Sequence, residues 1–170
     1  EKALDPECPY VAAGANDGTF IFAKTKDAFN LSAFPKDLSK TAAALKAAYT
    51  EALRAARFGF TATEYARFQE DYKSSLDKMY SNKDKRPNSQ LYRDLVDNFL
   101  EGDPMPSIDF EYQAMSQIVP AMPVEVANQM MAELVPANDS TLIVLSFLIE
   151  AEGNVYPTEA ELLGAVKDAR

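Results

Sequence analysis

The side chains that ordinarily carry out chemistry are scarce in this sequence of 170 residues, which contains no histidine and one cysteine, Cys8. Without histidine there is neither the commonest zinc ligand nor the usual general base near neutral pH, and no Ser-His-Asp or Cys-His arrangement can be assembled. Cys8 alone cannot build a thiolate metal site, since structural zinc takes four ligands. Neither GxxxxGK[ST] nor GxGxxG occurs, and the 6 glycines are scattered as turn and cap residues. Carboxylates remain. Asp103, Asp109 and Glu111 lie close together around a helix start, where a hard-cation or acid/base site is conceivable. Acidic residues in a first helical turn are already explained by the helix dipole, and that reading is preferred.

Composition narrows the partners. With 17 basic against 26 acidic residues the formal net charge is −9, which repels a phosphate backbone and an anionic membrane leaflet alike. The longest apolar run, at 142–149, is far shorter than the roughly 20 residues that a membrane-spanning helix needs. Nucleic acid and membrane insertion are therefore set aside. A chain of this length with 47% hydrophobic residues forms one good core, so a single domain over 1–170 is expected. The lone cysteine leaves the redox compartment open. Because the sequence starts at Glu1 without a signal-like segment, it reads as a processed or excised piece.

The elements that must position any site follow from periodicity. Residues 10–13, 19–25 and 29–34 are rich in β-branched and aromatic residues, with Asn16-Asp17-Gly18 and Lys26-Asp27 as turn signals, and predict a meander of two or three antiparallel strands. From Leu38 the period becomes helical, with Leu38, Ala42, Leu45, Tyr49, Leu53 and Ala56 on one stripe. Gly59 stops that helix, and Thr61 with Glu64 matches a capping box for a second one, whose stripe is Tyr65, Phe68, Tyr72, Leu76 and Met79.

A third helix is predicted from Asn88 or Ser89 to Leu100, with Tyr92, Leu95, Val96 and Phe99 inward. Two more follow. One covers 107–119 with Ile108, Tyr112, Met115 and Ile118 inward; the other covers 123–135 with Val126, Met130, Met131 and Leu134 inward. Residues 140–149 are apolar without alternation, the pattern of a central strand covered on both faces. Thr158 and Glu161 form a second capping box ahead of a short last helix. The expected fold class is α+β: an antiparallel or mixed sheet covered by helices on one face.

Four segments carry a family resemblance. Arg57-Phe58-Gly59-Phe60-Thr61-Ala62-Thr63-Glu64-Tyr65, followed by Arg67 and preceded by Glu51 and Arg54, resembles the GF(T)xxE(L)xR helix junction of the pitrilysin/insulinase zinc peptidases. Phe99-Leu100-Glu101-Gly102-Asp103-Pro104-Met105-Pro106, then 108–112, looks like the FLxGxPxPGIxxEY segment of bacterial members. Val124-Glu125-Val126-Ala127-Asn128 is similar to (T)xEEVN, and Tyr156-Pro157-Thr158-Glu159-Ala160-Glu161-Leu162-Leu163 to YPTExEL. Their shared order from Phe58 to Leu163 is the specific part.

The resemblance implies a metallopeptidase-like module of that family, the non-catalytic one directly after the module that carries HxxEH. No residue of this chain is then catalytic or metal-binding. The zinc cofactor belongs to the parent's catalytic module, the partners are other modules of the same parent chain, and the setting is a bacterial periplasm or cell envelope. Such modules begin with one more strand and helix, so this domain is expected to lack its first strand and helix. An early strand would then lie at an open edge, where a peptide substrate can add as a strand, with Tyr10, Phe20 and Phe22 as the substrate contacts. The same edge would allow weak homodimerisation. Arg86 and Tyr92 are spaced like the family's substrate-holding Arg and Tyr, but those lie in the opposite half of the enzyme. The alternative function is a free-standing protein-interaction module with no enzymatic role, which a parent gene of little more than 170 residues would favour.

Overall fold

The computed structural model describes residues 5–20 and 23–170. Among these, the chain runs through β1 (Tyr10–Phe20), β2 (Ala23–Pro35), a one-turn 3-10 helix (Leu38–Lys40), α1 (Thr41–Phe58) and α2 (Ala62–Ser81). A second 3-10 turn (Lys83–Lys85), α3 (Asn88–Glu101), α4 (Ile108–Ala121), α5 (Val124–Leu134) and α6 (Glu159–Ala169) complete it. The architecture is α+β, with six helices and one two-stranded antiparallel sheet among the described residues. It divides into two compact units, Glu1–Gly59 with Ala127–Arg170, and Phe60–Val126.

In the first unit, β1 and β2 pair along nearly their whole length, with Ala12 opposite Phe34, Asn16 opposite Asn30 and Thr19 opposite Asp27. Asn16-Asp17-Gly18 and Lys26-Asp27 are therefore strand interior and not turns. Register is set by burial, since a one-residue slip would move every side chain to the other face. Phe29, Leu31 and Ala33, spaced two apart, lie against the α1 layer, while Ser32 and Phe34, of the other parity, stay exposed. A turn at 16–18 would break the pairing that holds this face in place. Among the described residues the sheet has two strands and no third, and residues 21–22 of the predicted strand at 19–25 lie outside the described residues.

Helix α1 packs against β2 and against α6. Tyr49, Ala52 and Leu53 meet Val135, Val166 and Ala169 in the main core, and Cys8, Tyr10 and Ala44 form a smaller cluster beside it. Small residues at 44, 48, 52 and 55 let the helix approach its neighbours closely, and its one buried polar side chain, Thr41, donates to Leu38 O at 2.8 Å. The cap of α6 is a complete box: Glu161 N donates to Thr158 Oγ1 at 3.3 Å and Thr158 N donates to Glu161 Oε2 at 2.7 Å.

In the second unit, α2 packs against α4. Its own capping box, Thr61 with Glu64, is formed as expected. The end of α4 carries Pro120, and Pro123 has no N–H to give Val119 O its i+4 partner. Val119 O accepts instead from Met122 N at 3.4 Å and from Gln69 Nε2 at 2.8 Å, and Tyr65 OH donates to Met122 O at 3.1 Å. Proline placement in one helix thus explains which polar residues the other must present.

Three expectations fail on exposure. No residue of α3 is buried, and its supposed inward face is open, with Tyr92 69%, Leu95 55% and Phe99 85% exposed. Phe68 of α2, Ile118 of α4 and Val126 and Met130 of α5 are exposed as well. Residues 140–149 form no strand. They are largely exposed, and among the described residues no strand lies alongside to pair with them.

Candidate functional site

Of the three residues expected to touch a substrate, Tyr10 is buried against Cys8 and Ala44, Phe20 is half-buried at the other end of β1, and Phe22 lies outside the described residues. With 11 residues in β1, Tyr10 and Phe20 are separated by about 33 Å at the usual strand rise. The structure does not bring them together. What β1 and β2 do share is an arrangement: among the described residues each is paired on one side by the other and by no further strand on its other side.

Of the carboxylates around the start of α4, Asp109 is paired. Lys83 Nζ donates to Asp109 Oδ1 at 2.6 Å and lies 4.4 Å from the centroid of the Tyr80 ring, which stacks on Tyr112 at 4.2 Å. Tyr112 OH in turn donates to Asp77 Oδ1 at 2.8 Å. The hydrogen bond from Lys83 holds the Asp109 carboxyl below its ordinary range, and Asp109 raises the lysine in return. The Asp77 carboxylate raises Tyr112. This set joins α2 to α4 and leaves Asp109 neutralised. Asp103 contributes only its carbonyl, which accepts from Asn98 Nδ2 at 2.6 Å.

No group of three or more His, Cys, Asp or Glu suited to a metal occurs among the described residues. With no histidine in the chain, the donor set does not fit zinc. Arg86 pairs with Asp94 on α3, and Tyr92 is exposed on the same helix. A shallow open depression along α2, lined by Glu70, Lys73, Asp77 and Lys78, alternates in charge and offers no convergent polar groups.

Sequence reasoning missed one polar cluster, in the first unit. Tyr49 OH donates to Asp139 Oδ1 at 2.9 Å, and Arg170 donates through Nε to the same oxygen at 2.6 Å, and through Nη1 to Ala137 O at 2.8 Å. Arg170 lowers the Asp139 pKa, and burial, then Asp139, raises that of Tyr49. Tyr49 and Asp139 are 90 positions apart, and no local pattern announces the pairing. The same holds for the open apolar segment at 142–149, whose composition suggested burial.

No protein-family model matches the chain, and no curated protein does either. Among solved structures it is similar to the first half of the periplasmic protease PqqL from Escherichia coli, with a TM-score of 0.62 and 14% sequence identity. The likeness covers 95% of this chain and 34% of that one, so the chain spans about a third of the length of its structural neighbour. No described helix is long and apolar enough to cross a membrane. At this identity the likeness is one of fold: the α+β arrangement described above resembles part of a periplasmic protease.

Proposed function

We propose that the chain is a non-catalytic structural and substrate-chamber domain of a zinc-dependent metalloendopeptidase, in which zinc and the general base come from another module of a longer polypeptide. The observation that carries this reading is the fold likeness over 95% of the chain to part of a protease. The ordered segments from Phe58 to Leu163 and the lack of histidine agree with it. In this role the domain supplies shape and packing, and a peptide meets it through the free backbone edge of β1 or β2, near Phe20. The periplasmic setting of the neighbour supports an envelope location for this protein too.

The gene supplies the direct test. An HxxEH-encoding module ahead of position 1 is expected, and a gene encoding little beyond these 170 residues would remove the peptidase role. The purified chain is expected neither to retain stoichiometric zinc through chelator-free dialysis nor to cleave peptides. A second reading, an interaction module with no enzymatic role, is favoured by the open apolar stripe of α3 and would survive that loss.

A further inference from the structure

We infer that residues 142–149 are a preformed docking edge for one β-strand of another polypeptide segment, apolar along its length and carrying Lys or Arg at the end beside Glu150 and Glu152. The inference stands apart from the peptidase reading.

The segment belongs to no helix or strand, and its apolar side chains sort into two sides by exposure. Ile143, Leu145, Phe147 and Ile149 are 61%, 51%, 80% and 84% exposed, while Leu142 and Val144 at 38% and 37% are better covered. Four large apolar side chains at a spacing of two make one open strand face. Among the described residues, no backbone-to-backbone hydrogen bond engages 143–149. An occupant that covered these side chains without bonding to the backbone would bury unpaired N–H and C=O groups, which is unfavourable. A strand satisfies both requirements at once, and a helix satisfies only one.

Both ends of the segment are already held. At the start, Leu142 N donates to Asp139 O at 3.1 Å and Arg170 Nε donates to Asp139 Oδ1 at 2.6 Å. At the finish, Tyr156 OH accepts from Ala151 N at 2.8 Å and donates to Ile149 O at 3.1 Å. The stretch between them is presented with part of its ordering entropy already spent, which favours binding.

Charge selects the occupant. Arg170 neutralises Asp139 at the first end, but Glu150 and Glu152 are exposed at the other, and no salt bridge among the described residues engages them. A second copy would bring a further −9 to the contact, and parallel pairing would set Glu150 and Glu152 against their own images. A strand with a basic end gains where a copy would be repelled.

The test uses the full chain and three peptides of about ten residues, a typical strand length. One alternates Val and Thr and ends in two lysines, the second ends in two glutamates, and the third carries a central proline. Fluorescence polarisation is expected to show the lysine peptide binding roughly tenfold more tightly than the glutamate peptide, a difference of about 1.4 kcal/mol, with no binding of the proline peptide. Hydrogen exchange is expected to show new protection at 143–148. Glu150→Lys with Glu152→Lys is expected to abolish the lysine preference, and Leu145→Pro to abolish binding with helix content unchanged. Equal binding of the charged peptides, protection elsewhere, no binding, or self-association that protects 143–148 without peptide would each overturn the inference.

Discussion

Helices α1 and α3 carry the same kind of sequence signal and meet opposite fates. Both place large apolar residues at steps of three and four, yet α1 buries seven of its residues and α3 buries none. In the first unit, α1 has the inner face of β2 on one side and α6 on another. Within the second unit, α3 has no such neighbour, and Tyr92, Leu95 and Phe99 remain open. A periodic apolar stripe therefore reports a face that is able to be buried. Whether it is buried depends on a complementary surface at the right distance.

The sharpest way to break that comparison is truncation in each stripe. Leu53→Ala, in the packed helix, is expected to destabilise the protein by about 3 kcal/mol through lost burial and a residual cavity. Leu95→Ala, in the open one, should change stability by less than about 0.5 kcal/mol. Chemical denaturation of both variants checks this, and similar losses would mean that α3 packs as tightly as α1.

The two helix ends sharpen the contrast. Gly59, after α1, has φ 71° and ψ −168°, a conformation almost confined to glycine, and an added Cβ would lie 2.5 Å from Asn128 Cγ. Gly102, after α3, has φ 76° and ψ 16°, and open space where a Cβ would go. Gly59→Ala is expected to cost at least about 2 kcal/mol and Gly102→Ala about 1 kcal/mol. Equal shifts in thermal midpoint would show that crowding at Asn128 contributes nothing.

Asp139→Asn tests the clamp beside the α1 core. Since Asp139 is partly exposed, the loss should be only about 1 kcal/mol at neutral pH. The sign with pH follows from its lowered pKa. Asp139 stabilises the fold above its unfolded value of 3.8, and that contribution fades as pH falls from there through the lower folded value. Wild type and Asp139→Asn should therefore converge in acid, and urea titrations at several pH values measure it.

The smallest effects are expected at the capping boxes, one in each unit. Thr158→Ala and Thr61→Ala should each cost about 0.5 to 1 kcal/mol, because both lose the same bond to an N3 amide. A cap is local, so the two should agree where the core truncations differ.

Both boxes were legible in the sequence because the residues that complete them lie three positions apart. So were the α+β class and the positions of the helices, whose period depends on neighbours in the chain. Tyr10, Phe20 and Phe22 were chosen as strand residues, but sequence could not show that Tyr10 turns into the cluster with Cys8 and Ala44. Nor could it show that Asn16-Asp17-Gly18 lies within a strand, because its pairing with 28–30 is fixed by Phe29 and Leu31 packing toward α1.

Local signals determined caps, helix stops and the absence of a histidine-based site. Tertiary structure decided which apolar stripes were covered, that Arg170 would close on Asp139 and Tyr49, and that 142–149 would be left open. Those outcomes depend on surfaces brought together from distant parts of the chain, and hydrophobic burial is non-directional, so a pattern can require a partner without naming it.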